Sequence, residues 1–274
     1  MQRRSRWVAV VACVALVAVA ACDTKGPAPT VESIQAETGT FAIASTSVAA
    51  GNGFGGGTIY APTDTAHGKY GAVAIVPGYQ DSANAFAWYG PRIATQGFVV
   101  IIIDSIGLED GPGARGNQLL AALSYLSTQS SVAAEVDPNR LAVMGHSMGG
   151  GGALDAAKAQ PSLRATIALA PWEFFGATYG TNTSPTLVVG CEDDVTAPPA
   201  NFARTFYNGL TAKKAYVEIA GGDHACPRTP NTTVAALVIS WLKRFVDTDT
   251  RYTPFLCPTP TGPTISRSES SCPY

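Results

Sequence analysis

Residues 145–149 read Gly-His-Ser-Met-Gly, set between the apolar run Leu141–Met144 and a glycine-rich stretch, Gly150–Gln160, that turns helical. Gly-x-Ser-x-Gly in the context of strand, sharp turn and helix constrains the chain strongly. The turn forces the serine into a strained backbone conformation, and the positions beside it tolerate no bulky side chain. The serine hydroxyl is thereby lifted to the carboxyl edge of a sheet. A tight turn or a phosphate cradle is the bland alternative; the strand before the pattern and the helix after it favour Ser147 as a nucleophile.

The flanking chain repeats that strand and helix alternation. Phe41–Ala49 and Gly57–Tyr60 read as early strands around the flexible Gly51–Gly57 loop. Ala72–Val76, Phe98–Asp104, Leu141–Met144, Ala165–Ala170, Thr186–Val189 and Ala215–Ile219 are apolar runs of the kind buried on both sheet faces. Helices are expected at Ala83–Gln96, Gly116–Ser127, after Ser147, at Pro199–Asn208 and at Thr232–Val246. Short connections between alternating elements predict an α/β fold, with a mostly parallel central sheet covered by helices on both faces. No internal repeat or mid-chain linker is visible, so one catalytic domain is expected over residues 30–274, after a short lead at 22–29.

The N-terminus predicts export. Arg3, Arg4 and Arg6 precede an apolar stretch, Trp7–Ala21, that is short for a membrane span and ends in small residues, as a signal peptide over residues 1–21 does. Its loss removes three arginines and no acids, taking the net charge from −2 to −5. No basic patch suggests a nucleic-acid partner. Val19-Ala20-Ala21-Cys22 resembles a lipobox, which would make Cys22 a lipidated N-terminal residue and a membrane anchor. The cysteine count agrees: Cys191, Cys226, Cys257 and Cys272 form an even set, and Cys22 is left over. The alternative is ordinary cleavage near Ala20 or Ala21. No Cys-x-x-Cys spacing suggests a metal site, and no cofactor is expected. A monomer is expected.

A serine hydroxyl needs a base to take its proton, and the base needs a third group to orient it. Of three histidines, His67 lies in a polar loop before the sheet core and His146 is inside the turn, pointing away from Ser147. His224 remains, in a loop directly after the strand Ala215–Ile219. An acid is expected after the preceding strand, where Asp193 and Asp194 are adjacent and the residues alone do not separate them; Asp223 is a weaker rival. Two backbone N–H donors are needed for a tetrahedral intermediate. Met148, after the serine, and Tyr79, in the turn after Ala72–Val76, are placed to supply them.

At Pro77-Gly78-Tyr79, Trp88–Arg92, Leu141–Gly152, Pro171-Trp172 and Trp241–Tyr252 the chain resembles the bacterial cutinases and polyethylene terephthalate hydrolases, over essentially all of residues 26–274. That resemblance implies the α/β-hydrolase fold without a lid domain. It also implies Ser147, Asp194 and His224 as catalytic residues, and Tyr79 and Met148 as oxyanion donors. Trp172 becomes an aromatic wall of the cleft, and Gln80, Thr196 and Ala225 become substrate contacts. Cys191 with Cys226 resembles an extra bridge of the two-disulfide members, and Cys257 with Cys272 the C-terminal bridge common to the family.

Three positions depart from the family pattern. Thr196 stands where an apolar residue is usual, Glu173 where histidine is common, and Ala225 is smaller than the phenylalanine of the thermophilic cutinases. The expected activity is that of an exported serine carboxylester hydrolase acting on polyesters and short acyl esters. The rivals are a lipase or small-ester esterase, marked by a covered cleft, and a non-catalytic hydrolase-fold binding protein, which would have lost members of the triad.

Overall fold

The computed structural model describes residues 27–66 and 68–274; the signal segment, Cys22 and His67 lie outside the described residues. The chain begins with helix α1 (Val31–Gln35), whose N-cap Thr30 accepts from the Ser33 N–H while Ser33 caps Thr30 in return. Strands β1 (Ile43–Val48), β2 (Gly57–Pro62) and β3 (Tyr70–Val76) follow, then helix α2 (Tyr89–Ala94) and β4 (Phe98–Ile103). Next come α3 (Pro112–Thr128), β5 (Val136–His146), α4 (Met148–Ala159), β6 (Ala165–Leu169) and β7 (Thr186–Cys191). The chain closes with α5 (Ala203–Gly209), β8 (Lys214–Ile219), α6 (Thr232–Phe245) and β9 (Ile265–Ser270).

The strands form one sheet in the order β1-β2-β4-β3-β5-β6-β7-β8-β9. From β4 to β8 neighbouring strands are parallel, and β1, β2 and β9 pair antiparallel at the margins. This mostly parallel sheet with helices on both faces is the α/β-hydrolase fold. Side-chain alternation along the central strands builds the two layers. Val73 and Ile75 of β3 join Val100 and Ile102 of β4 in a core with α2 and α6. Ala72, Ala74 and Val76 face the other way, with Leu119, Leu123 and Leu126 of α3. Small residues on that face of β3 let α3 lie close to the sheet.

Three helices differ from their expected spans; α3 begins at Pro112, four residues before the expected Gly116. Ala83–Gln96 is not one helix but a 3₁₀ turn, Ala83–Phe86, followed by α2. Pro91 lacks an N–H and crowds the residue before it, so a helix cannot run through it; α2 places it in the first turn, where no intrahelical donor is needed. Helix α5 starts at Ala203 rather than Pro199, because Pro198-Pro199 spends its carbonyls on turns to Phe202 and Arg204. Strand β9 and helix α1 carry no periodic apolar signal. β9 pairs with β8, and beside it Tyr274 packs edge-on against Trp241 and Phe245.

The sheet order positions the site. Strand β4 lies on one side of β3 and β5 on the other, so connections leave β3 in opposite directions and open a crevice at the carboxyl ends. The turn from β5 to α4 sits there with Ser147 at φ 55°. Both glycines of the pattern are there for close approach. A Cβ on Gly145 would meet the Gly149 carbonyl oxygen at 2.0 Å, and one on Gly149 would meet the Val76 and Pro77 carbonyl oxygens at 2.5 Å. Gly149→Ala should therefore destabilise by about 1–3 kcal/mol or more, read as a lower urea midpoint. Gly209→Ala, with nothing within 4 Å of its new Cβ, should be close to neutral.

Candidate active site

Ser147 is held by its backbone: its N–H donates to the Leu169 carbonyl, and its own carbonyl accepts from the Trp172 N–H at 2.9 Å. Its Oγ lies 2.9 Å from His224 Nε2, and His224 Nδ1 lies 2.7 Å from Asp194 Oδ2. A carboxylate only accepts, so Nδ1 carries the proton and Nε2 presents a lone pair to the serine hydroxyl. Asp194 is buried, and its other oxygen accepts from the Thr196 and Ala197 N–H groups at 2.9 and 2.7 Å. Burial alone would raise the Asp194 carboxyl; the hydrogen bonds from His224 and these amides outweigh it and hold the group below its usual value.

Neither rival acid meets the His224 ring. Asp193 is exposed, with its N–H donating to the Gly222 carbonyl, and Asp223 accepts from the Ala225 N–H in its own turn at 2.9 Å. The loops bearing Asp194 and His224 are laced together. Cys191 is bridged to Cys226, and Glu192 accepts from the Gly221 N–H. Cys257 is bridged to Cys272.

Met148 opens α4, so its N–H has no carbonyl partner within the helix. Gly78 packs against Ser147 so closely that a Cβ there would lie 2.8 Å from the serine Cβ, which brings the Tyr79 backbone to the same crevice. The Tyr79 and Gln80 side chains project at the rim and both meet Glu109 Oε1, at 3.2 and 3.3 Å. Trp172 is half-buried, edge-on to Phe174 and stacked at 6.0 Å on Phe202. Thr196 is exposed and Ala225 half-buried.

Two residues in this neighbourhood carry roles that local sequence patterns did not reveal. His146 donates from Nε2 to the His224 carbonyl at 2.8 Å and tilts its ring against the His224 ring at 4.8 Å. Burial, with His224 nearby, lowers its imidazole to about 3, so it stays neutral. Arg115, fully buried, donates to the Pro77, Leu108 and Asp110 carbonyls and to Ser105, fixing the turn that carries Tyr79. The one charged residue of α3, set in its first turn, was its only signal.

Residues 17–273 match the PET hydrolase-like family. The chain belongs to that family. It is 51% identical over 255 residues to the bis(hydroxyethyl) terephthalate hydrolase of Streptomyces coelicolor, covering 91% of this chain and 82% of that one. Cutinase 1 of Thermobifida cellulosilytica is 45% identical over 259 residues, covering 91% and 98%. Cutinase est1 of Thermobifida alba is 44% identical over 259 residues, covering 91% and 86%. The chain is a carboxylic ester hydrolase.

Beneath Trp172 this family member carries a buried acidic cluster. Glu173 accepts from the Phe174 N–H at 2.8 Å and from the Tyr179 hydroxyl at 3.3 Å, with Asp155 of α4 close by. Burial first, and the Asp155 charge second among the raising causes, push the Glu173 carboxyl to about 7. The folded protein thus holds a proton that the unfolded chain releases near 4.5, so this group's contribution to stability is full at low pH and falls as pH rises towards 7. Glu173→Gln keeps the protonated shape without the titration. Its melting temperature should match the parent at pH 4 and exceed it by several degrees at pH 8.5, at roughly 2–4 °C per kcal/mol for a chain of this size. An equal difference at both pH values would refute the assignment.

Proposed function

We propose that this protein is an exported serine esterase that cleaves polyesters and short acyl esters through an acyl-enzyme on Ser147. The observation that carries this reading is the unbroken hydrogen-bond chain from Asp194 through His224 to Ser147 at the sheet switch point. His224 Nε2 takes the Ser147 proton as Oγ attacks the ester carbonyl carbon. The carbonyl oxygen gains the electron pair and is met by the N–H groups of Tyr79 and Met148. His224, now cationic beside Asp194, hands its proton to the departing alcohol oxygen as the C–O bond breaks. Water then repeats the sequence against the acyl-enzyme: His224 takes its proton, the acid product leaves, and Ser147 regains its hydrogen.

Trp172 offers an aromatic face beside the scissile position, where a terephthalate-like ring stacks. The relatives named for bis(hydroxyethyl) terephthalate and for cutin support an ester substrate with a bulky or polymeric acyl part. Thr196 gives that wall a polar neighbour, and Ala225 leaves Trp172 room to move. The positive, apolar leader supports export, and Cys22 supports a lipid anchor at the new N-terminus.

Ser147→Ala should abolish release of diacid from polyester film and of p-nitrophenol from short esters while leaving the melting temperature within a few degrees. Asp194→Asn should lower kcat by about 10⁴-fold by leaving the imidazole in the wrong tautomer, and Asp193→Asn by far less. Equal losses at both positions would overturn the role given to Asp194. For the anchor, intact mass of the mature protein from its host should include acyl chains on Cys22 and lose them in Cys22→Ser; an unmodified soluble form starting at Ala21 or later would overturn it.

A further inference from the structure

The strands that bring Ser147, Asp194 and His224 to one edge of the sheet present a different chemistry at the other. Strands β6, β7 and β8 are parallel, so Arg164, Pro185 and Lys213, each one residue ahead of a strand, share the amino edge. The 6 residues of β7, at about 3.3 Å each, put roughly 20 Å of sheet between that edge and the catalytic loops. Helix α6 runs back to the same edge and ends there with Arg244 and Phe245. Together these segments line a groove of about 460 Å³ whose walls hold three cations, Arg164, Lys213 and Arg244, and no carboxylate.

Neighbouring cations have partners. Arg140 pairs with Asp137 and Asp247, Lys243 with Asp247, and Arg251 with Asp249, while the Lys214 ammonium donates to the Tyr207 and Leu210 carbonyls. Among the described residues no ion pair involves Arg164, Lys213 or Arg244, and the first two are exposed. Arg244 is held in place: its Nε donates to Thr253 Oγ1 at 3.0 Å, and its guanidinium lies 5.1 Å from the Phe245 ring. Cations gather at helix C-termini to offset the helix dipole, which accounts for Lys243 and Arg244. It does not account for Arg164, five residues past the end of α4 at Ala159, or for Lys213, four past the end of α5 at Gly209.

The catalytic edge has the opposite sign. Its loops, residues 77–88, 104–111, 170–185, 192–202 and 220–231, carry nine acids and no lysine, and their one cation, Arg228, is paired with Asp81. No basic run in the sequence marks the groove; folding gathers it from three distant segments.

We propose that the groove of Arg164, Lys213 and Arg244 is a contact surface for the phosphate headgroups of an anionic lipid bilayer, and that it turns the catalytic edge away from that bilayer. The choice of a lipid partner rests on the exported, Cys22-anchored reading above. The nine residues from Asp23 to Val31 span at most about 30 Å when extended, so an anchored domain stays against its bilayer and one face must meet it. Guanidinium and ammonium groups donate charge-assisted hydrogen bonds to phosphate oxygens. Each cation at an anionic surface shifts the local equilibrium about fivefold, so three together reach on the order of a hundredfold. That is too little to hold a free chain of net charge −5 firmly, and enough to orient one already tethered. The acidic catalytic edge is repelled by the same surface within a Debye length. Ser147 then faces the outer medium, from which an ester arrives.

The test uses the mature chain carrying Cys22→Ser, which lacks the anchor and keeps the groove. Co-sedimentation is measured with vesicles of phosphatidylcholine alone and with phosphatidylglycerol added. Binding is expected only to the phosphatidylglycerol vesicles at low salt, and should vanish near 0.5 M sodium chloride. Arg164→Gln with Lys213→Gln should weaken it by roughly 25-fold, whereas Arg164→Lys with Lys213→Arg should retain it. Both pairs should leave kcat and KM on a soluble p-nitrophenyl ester within about twofold. On the vesicles, amide exchange should slow at residues 160–164 and 209–213 and stay unchanged at 77–81. Undiminished binding of the glutamine pair, or slowed exchange at 77–81, would overturn the proposal. So would inorganic phosphate raising the melting temperature of a parent that vesicles do not bind, which would make the groove a soluble oxyanion site. An oligomer of the parent that the glutamine pair dissolves would assign the groove to a second copy instead. A host protein without acyl mass on Cys22 would remove the tether while leaving the vesicle result intact, so the two readings fail separately.

Discussion

The turn between β5 and α4 is pressed against the end of β3, and the site depends on that contact. Gly149 lies where any side chain would strike the Val76 and Pro77 carbonyls, and Ser147 is held at positive φ by its N–H bond to Leu169. A serine at that φ is strained by an amount on the order of 1–3 kcal/mol, and the packed sheet on both sides holds it there. Because β3 is the neighbour, the same contact brings the Pro77–Gln80 turn beside the serine. Ser147 and the turn bearing Tyr79 are therefore set by one packing event, and the strand order that separates β4 from β5 makes room for it.

The other half of the site is assembled from two loops that follow β7 and β8. They are joined by the Cys191–Cys226 bridge, by the Asp193 N–H to Gly222, and by Glu192 to the Gly221 N–H. The His224 loop is also tied back to the first half. Tyr89 of α2 donates to the Pro227 carbonyl at 2.9 Å, Arg228 pairs with Asp81, and His146 donates to the carbonyl of His224 itself. His146 makes this last contact as a neutral donor, so it places no cation beside the His224 ring. Such support keeps reacting groups within a few tenths of an ångström of their working geometry, which rigid elements do better than free loops.

The sequence disclosed those parts of the molecule whose cause is local. The buried stretches of strands β3 to β8 are mostly apolar because both faces are covered, and the Ser147 turn is legible because its glycines answer to close contacts. His224 followed from the poverty of histidines. Asp193 and Asp194 were separated only by the family resemblance, since burial of one and exposure of the other depend on how the loop folds against Thr196 and Ala197. Arg115 was invisible, and Glu173 stood out only as a departure from the family pattern, because their partners are main-chain groups or side chains that no local pattern marks. Strand β9, with one apolar residue in Ile-Ser-Arg-Ser-Glu-Ser, exists through backbone pairing to β8, which composition does not encode.

The acidity of the cleft edge has a structural origin. Loops leaving the carboxyl ends of parallel strands carry N–H groups that no ladder satisfies, and carboxylates take them up. Asp81 accepts from Ser82, Asp104 from Ala83, Asp110 from Gly107, Glu173 from Phe174, Glu192 from Gly221, and Asp223 from Ala225, all at 2.8–2.9 Å. Asp194 belongs to the same pattern, with two amides on one oxygen and the imidazole on the other. Removing any of these charges to change the potential at the cleft would also free a backbone donor and loosen a loop. Rigidity of the loops and the negative field at the mouth thus share one cause. A member of this family with a more neutral edge must satisfy the same amides with hydroxyls or side-chain amides instead, at roughly half the hydrogen-bond strength.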